Sequence, residues 1–315
     1  DVYKRQSHDK ANLFARTFKS KFILPEESCE IPFFPTPPKM SSLNIIRTRD
    51  VKKKLLSLRI NQSTGPDGFG AYFLRMLAAS LALPVALLCR RIFNEGYWPE
   101  NWRLHWIIPL FKKGSVYDPE KYRSIHLSSI LSKTVERVVG NPLITFLQNH
   151  VYGDEQWAFR KNCGARDVVT LSLAMWVLQI CRGFKIGIYL ADISGAFDKV
   201  SRVLLLARLE ECGVPSQYLD FLNSYLLNRK DVVLVEGSQA DPIVLTNMVF
   251  QGTVLGPSLW NSFFSDIGKH VVEGNQEAQI FADDLKVTAS YAVHVSPNVI
   301  VSDLENVQQR AHDWG

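Results

Sequence analysis

Asp283 and Asp284 stand side by side in Phe281-Ala282-Asp283-Asp284, between two short apolar runs. Two adjacent carboxylates repel, and burying either one without a partner carries a desolvation penalty. A divalent cation is the usual compensation, because hard Mg²⁺ prefers carboxylate oxygens and keeps positions open for phosphate and water. An Asp-Asp pair alone is more often a solvated turn. A second acid upstream changes that balance. Gly187-Ile188-Tyr189-Leu190-Ala191-Asp192-Ile193 is apolar, β-branched and aromatic, and it follows a break at Arg182-Gly183. It predicts a buried strand with Asp192 near its carboxyl end. Gln279-Ile280-Phe281 and Leu285-Lys286-Val287-Thr288 predict the arms of a hairpin whose turn carries Asp283. Neighbouring strands lie about 4.8 Å apart, so Asp192 and Asp283 can share a pair of metal ions. Two ions roughly 4 Å apart serve in-line phosphoryl transfer, one at the attacking oxygen and one at the leaving oxygen.

These acids belong to a longer ordered series. Ser63-Thr64-Gly65-Pro66-Asp67-Gly68 comes first, then Trp106-Ile107-Ile108-Pro109-Leu110-Phe111-Lys112-Lys113-Gly114. Tyr122-Arg123-Ser124-Ile125 and Gln156-Trp157-Ala158-Phe159-Arg160 follow. Ala191-Asp192-Ile193-Ser194-Gly195-Ala196-Phe197-Asp198, Phe250-Gln251-Gly252-Thr253-Val254-Leu255-Gly256-Pro257 and the Asp283-Asp284 box end the series. In this order the segments resemble the reverse transcriptases, most closely the polymerase domain of non-LTR (LINE-type) retrotransposons, from about Asp9 to Gly315.

The resemblance implies an α+β right-hand polymerase architecture. An N-terminal helix and Pro-rich linker would occupy residues 1–50, mainly fingers 51–165 and mainly palm 166–315, with the chain truncated before the thumb. The palm would be an antiparallel sheet backed by helices. The implied activity is RNA-directed DNA polymerisation by two-metal nucleotidyl transfer. Its cofactors would be two Mg²⁺ or Mn²⁺ ions, and its partners an RNA template, a DNA primer and deoxynucleoside triphosphates. The scattered cysteines, with no disulfide framework, make an intracellular, reducing location, nucleus or cytoplasm, the default; the oligomeric state is left open. Two rival readings are a group II intron-type reverse transcriptase/maturase and a catalytically inactive nucleic-acid-binding remnant. The intact Asp192, Asp283 and Asp284 argue against the second.

Roles carry over position by position. Asp192 and Asp283 match metal-binding carboxylates, and Asp284 is a third acid with a more supporting place; the main-chain carbonyl of Ile193, just past the expected strand end, would line the same site as an extra ligand. Phe197 falls where an aromatic ring abuts the sugar of the incoming nucleotide and excludes a 2′-hydroxyl; by pattern alone it is a core Phe. Gln251 and Gly252 fall in a loop against the nucleotide and template base, where glycine lets backbone approach a ligand closely. Arg123 and one of Lys112 or Lys113 would grip the triphosphate. Asp198 reads as structural. The chain departs from the family pattern at Ser124 (usually proline), Ala158 (usually glycine) and Phe281 (usually tyrosine), and none of these removes a metal ligand.

Composition fits that picture without demanding it. The 315 residues, 46% hydrophobic, are enough for a sizeable core. Lys+Arg 36 against Asp+Glu 31 gives a charge of +5, a mild bias toward a polyanionic partner. The five cysteines (Cys29, Cys89, Cys163, Cys181, Cys212) form no CxxC pair, and the seven histidines show no HExxH spacing. Neither a zinc knuckle nor a disulfide framework is indicated. The most apolar stretch, Ala78 to Cys89, contains Pro84 and runs into Arg90-Arg91, short of the roughly 20 residues that a membrane span needs. Asp1 to Gln6 fits no family pattern, and the chain reads as part of a longer frame.

Periodicity predicts helices at 9–24 (Phe14, Phe18, Phe22), 51–59 capped by Asp50, 72–93 interrupted at Pro84, 127–147 broken at Gly140-Asn141-Pro142, 165–181, 203–212, 217–227 and 259–272. Residues 25–42 form a proline-rich linker. Strands are expected at 107–111, and at 232–235 with 243–245 as a hairpin around Gly237.

Overall fold

A computed structural model describes residues 6–22, 39–193, 195–245 and 247–315. Most of the proline-rich linker and residues 1–5 of the N-terminal segment lie outside the described residues. Along the chain run helices α1 (Ser7–Lys21), α2 (Thr48–Leu56), α3 (Ala71–Met76) and α4 (Ala78–Glu95), then strands β1 (Leu104–Phe111) and β2 (Tyr122–Leu127). Helices α5 (Ile130–His150) and α6 (Ala165–Cys181), strand β3 (Phe184–Asp192) and helices α7 (Arg202–Glu211) and α8 (Ser216–Leu226) follow. Next come strands β4 (Arg229–Val235), β5 (Ser238–Gln239) and β6 (Ile243–Leu245) and helices α9 (Gly256–Phe263) and α10 (Ile267–Val271). The hairpin β7 (Gln276–Phe281) and β8 (Asp284–Ala292) precedes the last helix, α11 (Pro297–Trp314).

The chain forms two compact units, Asp1–Phe146 with Phe197–Leu259, and Leu147–Ala196 with Trp260–Gly315. In the first unit the strands order as β2-β1-β4-β5, with β6 on β4. β1 pairs antiparallel with β2 and parallel with β4. Helix α1 packs on this sheet: Phe14, Phe18 and Phe22 join Ile107, Val233, Ile243 and Phe250 in one core cluster. The i, i+4 spacing puts Phe14 and Phe18 on one helix face, and Phe22 at the C-cap extends that apolar stripe.

The second unit is built on an antiparallel sheet, β3-β8-β7. Leu285, Val287 and Ala289 are buried while Lys286 and Thr288 between them are not, the period of two expected of a strand with one covered face. The β7–β8 hairpin forms where alternation placed it, with Ala282 and Asp283 between the strands.

Five expectations are corrected. The turn at Gly237 is closed by β5, whose Ser238 and Gln239 pair with Val235 and Leu234, and β6 (243–245) pairs with Arg229–Asp231 of β4 rather than with 232–235. Helix α4 continues through Pro84 and α5 through Pro142. A proline inside a helix costs about 3 kcal/mol, but in both cases the apolar stripe runs on past it: Ala82, Val85, Ala86 and Cys89 in α4, and Val135, Val139 and Leu143 in α5, are buried. Gly140 is a packing glycine, since a Cβ there would lie 2.5 Å from Leu255 Cδ2. Asp50 does not cap α2; Arg47 holds the cap position and Asp50 sits in the first turn, where its charge still complements the helix dipole. The single helix expected over 259–272 is two, α9 and α10, and between them the Ser265 hydroxyl donates to the Ser262 carbonyl. Strand β2, with its polar mixture, was not foreseen as a strand at all. No described helix is long and apolar enough to cross a membrane.

Candidate active site

Strands β3 and β8 pair in a register that ends on Asp192 opposite Asp284. Directly opposed residues place their Cβ atoms about 4.5–5.5 Å apart on one face, and like charges there destabilise the pair. Both side chains are exposed at the open end of the ladder. Asp283 follows in the two-residue turn, half-buried, and the turn is closed by the Phe281–Asp284 pair. Ile193 leaves the end of β3 directly. One sheet end therefore collects Asp192, Ile193, Asp283 and Asp284. The cross-strand partner of Asp192 is Asp284, and Asp283 stands one residue further on, in the turn. The donors are hard oxygens that repel one another without a cation, a set that fits Mg²⁺ or Mn²⁺.

The other sequence candidates belong to the first unit. Lys112 and Lys113 start the turn between β1 and β2, where the Lys112 amide donates to the Lys121 carbonyl (2.9 Å). Arg123 lies on β2 opposite Leu110, and all three cationic side chains are exposed. Phe197 opens a single 3₁₀ turn, Phe197–Lys199. Its carbonyl accepts from the Val249 amide (2.9 Å), and the Val200 carbonyl accepts from the Met248 amide (2.9 Å). Those two bonds tie the Phe197 turn to the segment that leads into Gln251-Gly252. Gly252 has φ +79, and a Cβ there would come within 3.0 Å of the His126 carbonyl on β2. Only glycine suits both the left-handed backbone and the close approach.

Glu136 secures the same loop from α5 and was not singled out from sequence. Fully buried, its Oε2 accepts from the amides of Val254 (2.7 Å) and Leu255 (3.4 Å) and from the Tyr225 hydroxyl (3.1 Å). Burial raises its carboxyl above the usual 4.5, against the pull of Arg229 and of these donors.

A second buried group sits beneath Phe250. His105 on β1, His126 on β2 and Asp231 on β4 bring their ligand-capable atoms within 4.8 Å of one another, the one such His/Cys/Asp/Glu trio among the described residues. Arg229 Nη1 donates to His105 Nε2 (2.6 Å). A guanidinium only donates, so Nε2 supplies the lone pair and Nδ1 carries the proton toward Asp231 Oδ1 (3.8 Å). A protonated Nδ1 is no metal ligand, so the trio is an ionic network. Burial first, then Arg229 and His126, hold His105 well below 6.5. Burial also opposes charging of His126, but Asp231, whose Oδ2 lies 3.5 Å from its Nδ1, and Asp198 outweigh it and raise His126 above 6.5. Asp198 is buried in the Phe197 turn, its carboxyl raised by burial, in keeping with a structural role. The histidine spacing in sequence gave no sign of this network.

Residues 111–315 match the family described as reverse transcriptase (RNA-dependent DNA polymerase). The chain is similar to the RNA-directed DNA polymerase from mobile element jockey of Drosophila melanogaster, 28% identical over 98% of this chain and 35% of that protein. The probable RNA-directed DNA polymerase from transposon BS of the same species is 29% identical over 84% of this chain and 30% of its own length. The Pol polyprotein from type-2 retrotransposable element R2DM, also from that species, is 26% identical over 78% and 23% respectively. The chain spans 35% or less of the length of these curated relatives.

Proposed function

The chain belongs to the reverse transcriptase family, and we propose that it carries out RNA-directed DNA synthesis by two-metal nucleotidyl transfer within a LINE-type retroelement protein. The observation that carries this reading is the opposition of Asp192 to Asp284 beside Asp283, three acids at one ladder end whose mutual repulsion a bound cation would offset. Asp192, Asp283 and the Ile193 carbonyl would hold two Mg²⁺ or Mn²⁺ ions, with Asp284 in support. Bound there, the ions supply activation of the primer 3′-oxygen and neutralisation of the leaving pyrophosphate. Arg123, with Lys112 or Lys113, grips the triphosphate of a deoxynucleotide by charge-assisted hydrogen bonds. Gln251 and Gly252 lie along the nucleotide and template base. In this reading the β3-β8-β7 sheet is the palm, and the β1–β2 hairpin belongs to the fingers. The relatives' names, all of mobile elements, favour a retroelement over the intron alternative. The test is extension of a DNA primer on an RNA template with deoxynucleotides and Mg²⁺ or Mn²⁺. This segment lacks the expected thumb and can be inactive by itself, so the assay uses the chain within its full reading frame, and no extension with either ion there would overturn the reading.

Phe197→Ala should relax sugar selection. Deleting the ring opens space for a 2′-hydroxyl, so ribonucleotide incorporation relative to deoxyribonucleotide should rise by about tenfold or more, the size of discrimination that one missing steric contact supports. Competition assays at fixed metal read this directly. An unchanged ratio assigns Phe197 to packing alone.

A further inference from the structure

Ala282 is the residue on which the Asp283 turn depends, and its backbone is unusual. It has φ +61 at the first central position of a two-residue hairpin turn, a place ordinarily taken by glycine, asparagine or aspartate. A left-handed alanine costs about 1–2 kcal/mol, and such a conformation persists where its surroundings over-determine it. Here they do. The segment ahead of α6 runs beside β7: the Trp157 amide donates to the Ile280 carbonyl (2.9 Å) and the Ile280 amide to the Glu155 carbonyl (2.8 Å). This bridge aims the buried Gln156 side chain at the turn. Gln156 Oε1 accepts from the Ala282 amide (3.1 Å) and from the Ala158 amide (3.0 Å). Its Nε2 donates to the Ala282 carbonyl (3.4 Å), and Trp260 Nε1 donates to that same oxygen (3.1 Å). Trp260 is itself buried and stacked on Phe264 at 5.0 Å. Both peptide groups of Ala282 are thus held by side chains from outside the hairpin.

From this geometry we infer that Gln156 and Trp260 are positioning residues that clamp the Ala282 peptide and so fix the direction in which Asp283 presents its carboxylate. Neither side chain reaches a reacting atom. They act through the turn, whose second residue is the metal-binding acid. The inference rests on the reading of Asp283 as a metal ligand, and the experiment keeps the two apart.

Three measurements are made on Gln156→Met, which keeps length and loses every hydrogen bond, and on Trp260→Phe, which keeps the stacked ring and loses one donor. The first is hydrogen exchange at the Ala282 amide against that at Ala289 within β8. The second is Mn²⁺ affinity by electron paramagnetic resonance without nucleotide. The third is the split between kcat and KM for the deoxynucleotide. In Gln156→Met the Ala282 amide should lose protection while Ala289 keeps it. Mn²⁺ affinity should fall by about tenfold, as when a support behind a metal ligand is removed. kcat should fall by about 100-fold with KM little changed, as for a catalytic group misplaced by about 1 Å. Trp260→Phe should move all three in the same direction by less, and it decides the matter if Gln156→Met fails to fold. Retained protection at Ala282 with unchanged Mn²⁺ affinity in a folded variant overturns the inference. If Asp283→Ala itself leaves Mn²⁺ affinity and synthesis intact, the metal reading has failed, and loss of Ala282 protection in Gln156→Met then reports a clamp with no catalytic purpose, which also overturns it.

Discussion

Asp283→Ala and Asp192→Asn should each abolish RNA-templated DNA synthesis, with a loss of about three orders of magnitude or more. Charge stabilisation by a metal at the transferring phosphoryl group contributes several kcal/mol, and each 1.36 kcal/mol is about tenfold in rate. Removing a ligand forfeits much of that stabilisation. The two substitutions should differ in their effect on the metal-free protein. Asp192 stands opposite Asp284 at the end of the β3–β8 ladder, so Asp192→Asn removes a like-charge pair and should raise the apo-protein's melting temperature slightly. Asp283 lies in the turn, outside that pair, and its replacement should give no such gain. Primer-extension gels measure the first effect and thermal melts in chelator the second. Undiminished synthesis by Asp283→Ala would sink the metal assignment.

What the sequence revealed and what it hid divide along one physical line. The strand ending at Asp192 and the hairpin bearing Asp283 were legible because alternation is a local signal, carried within a few residues. The cross-strand partner of Asp192 was not, because register is decided by pairing: β3 could be placed by pattern, but only the ladder shows that Asp284 faces Asp192. Helices α4 and α5 were cut at Pro84 and Pro142 because local rules weigh a proline heavily, while the burial that overrides it comes from distant packing. The supports of the candidate site were the least legible of all. Gln156 bonds to Ala282 across 126 positions, and Arg229 to His105 across 124. No spacing rule reaches that far. Gln156 drew notice only as part of a family-like segment, without a role, and Glu136 drew none.

The buried network under Phe250 yields the second large effect. Asp231→Asn should cost about 3 kcal/mol near pH 6, the usual penalty for breaking a buried ion pair from one side. Phe250 covers the network, its ring 5.0 Å from His105 and 6.2 Å from His126, and precedes Gln251-Gly252 directly, so the loop should loosen with it. The dependence on pH follows from the two histidines. His126 has a folded pKa above 6.5; the folded state holds the extra proton, so this stabilisation is complete below 6.5 and is lost as pH rises through the folded value. His105 has a folded pKa well below 6.5; the unfolded state takes up the extra proton, so its stabilisation is present above 6.5 and is lost as pH falls toward the folded value. The two windows meet near 6.5, and above it His126 alone of the pair titrates. Asp231→Asn removes the main group that raises His126, so the decline in stability expected of the wild type above pH 6.5 should flatten in the variant. Ring-proton titration of His126 should move to lower pH at the same time, and urea unfolding at pH 6 and pH 8 gives the energies. A His126 titration that is the same in both proteins would show that Asp231 does not charge it, and the charge would then be held by Asp198.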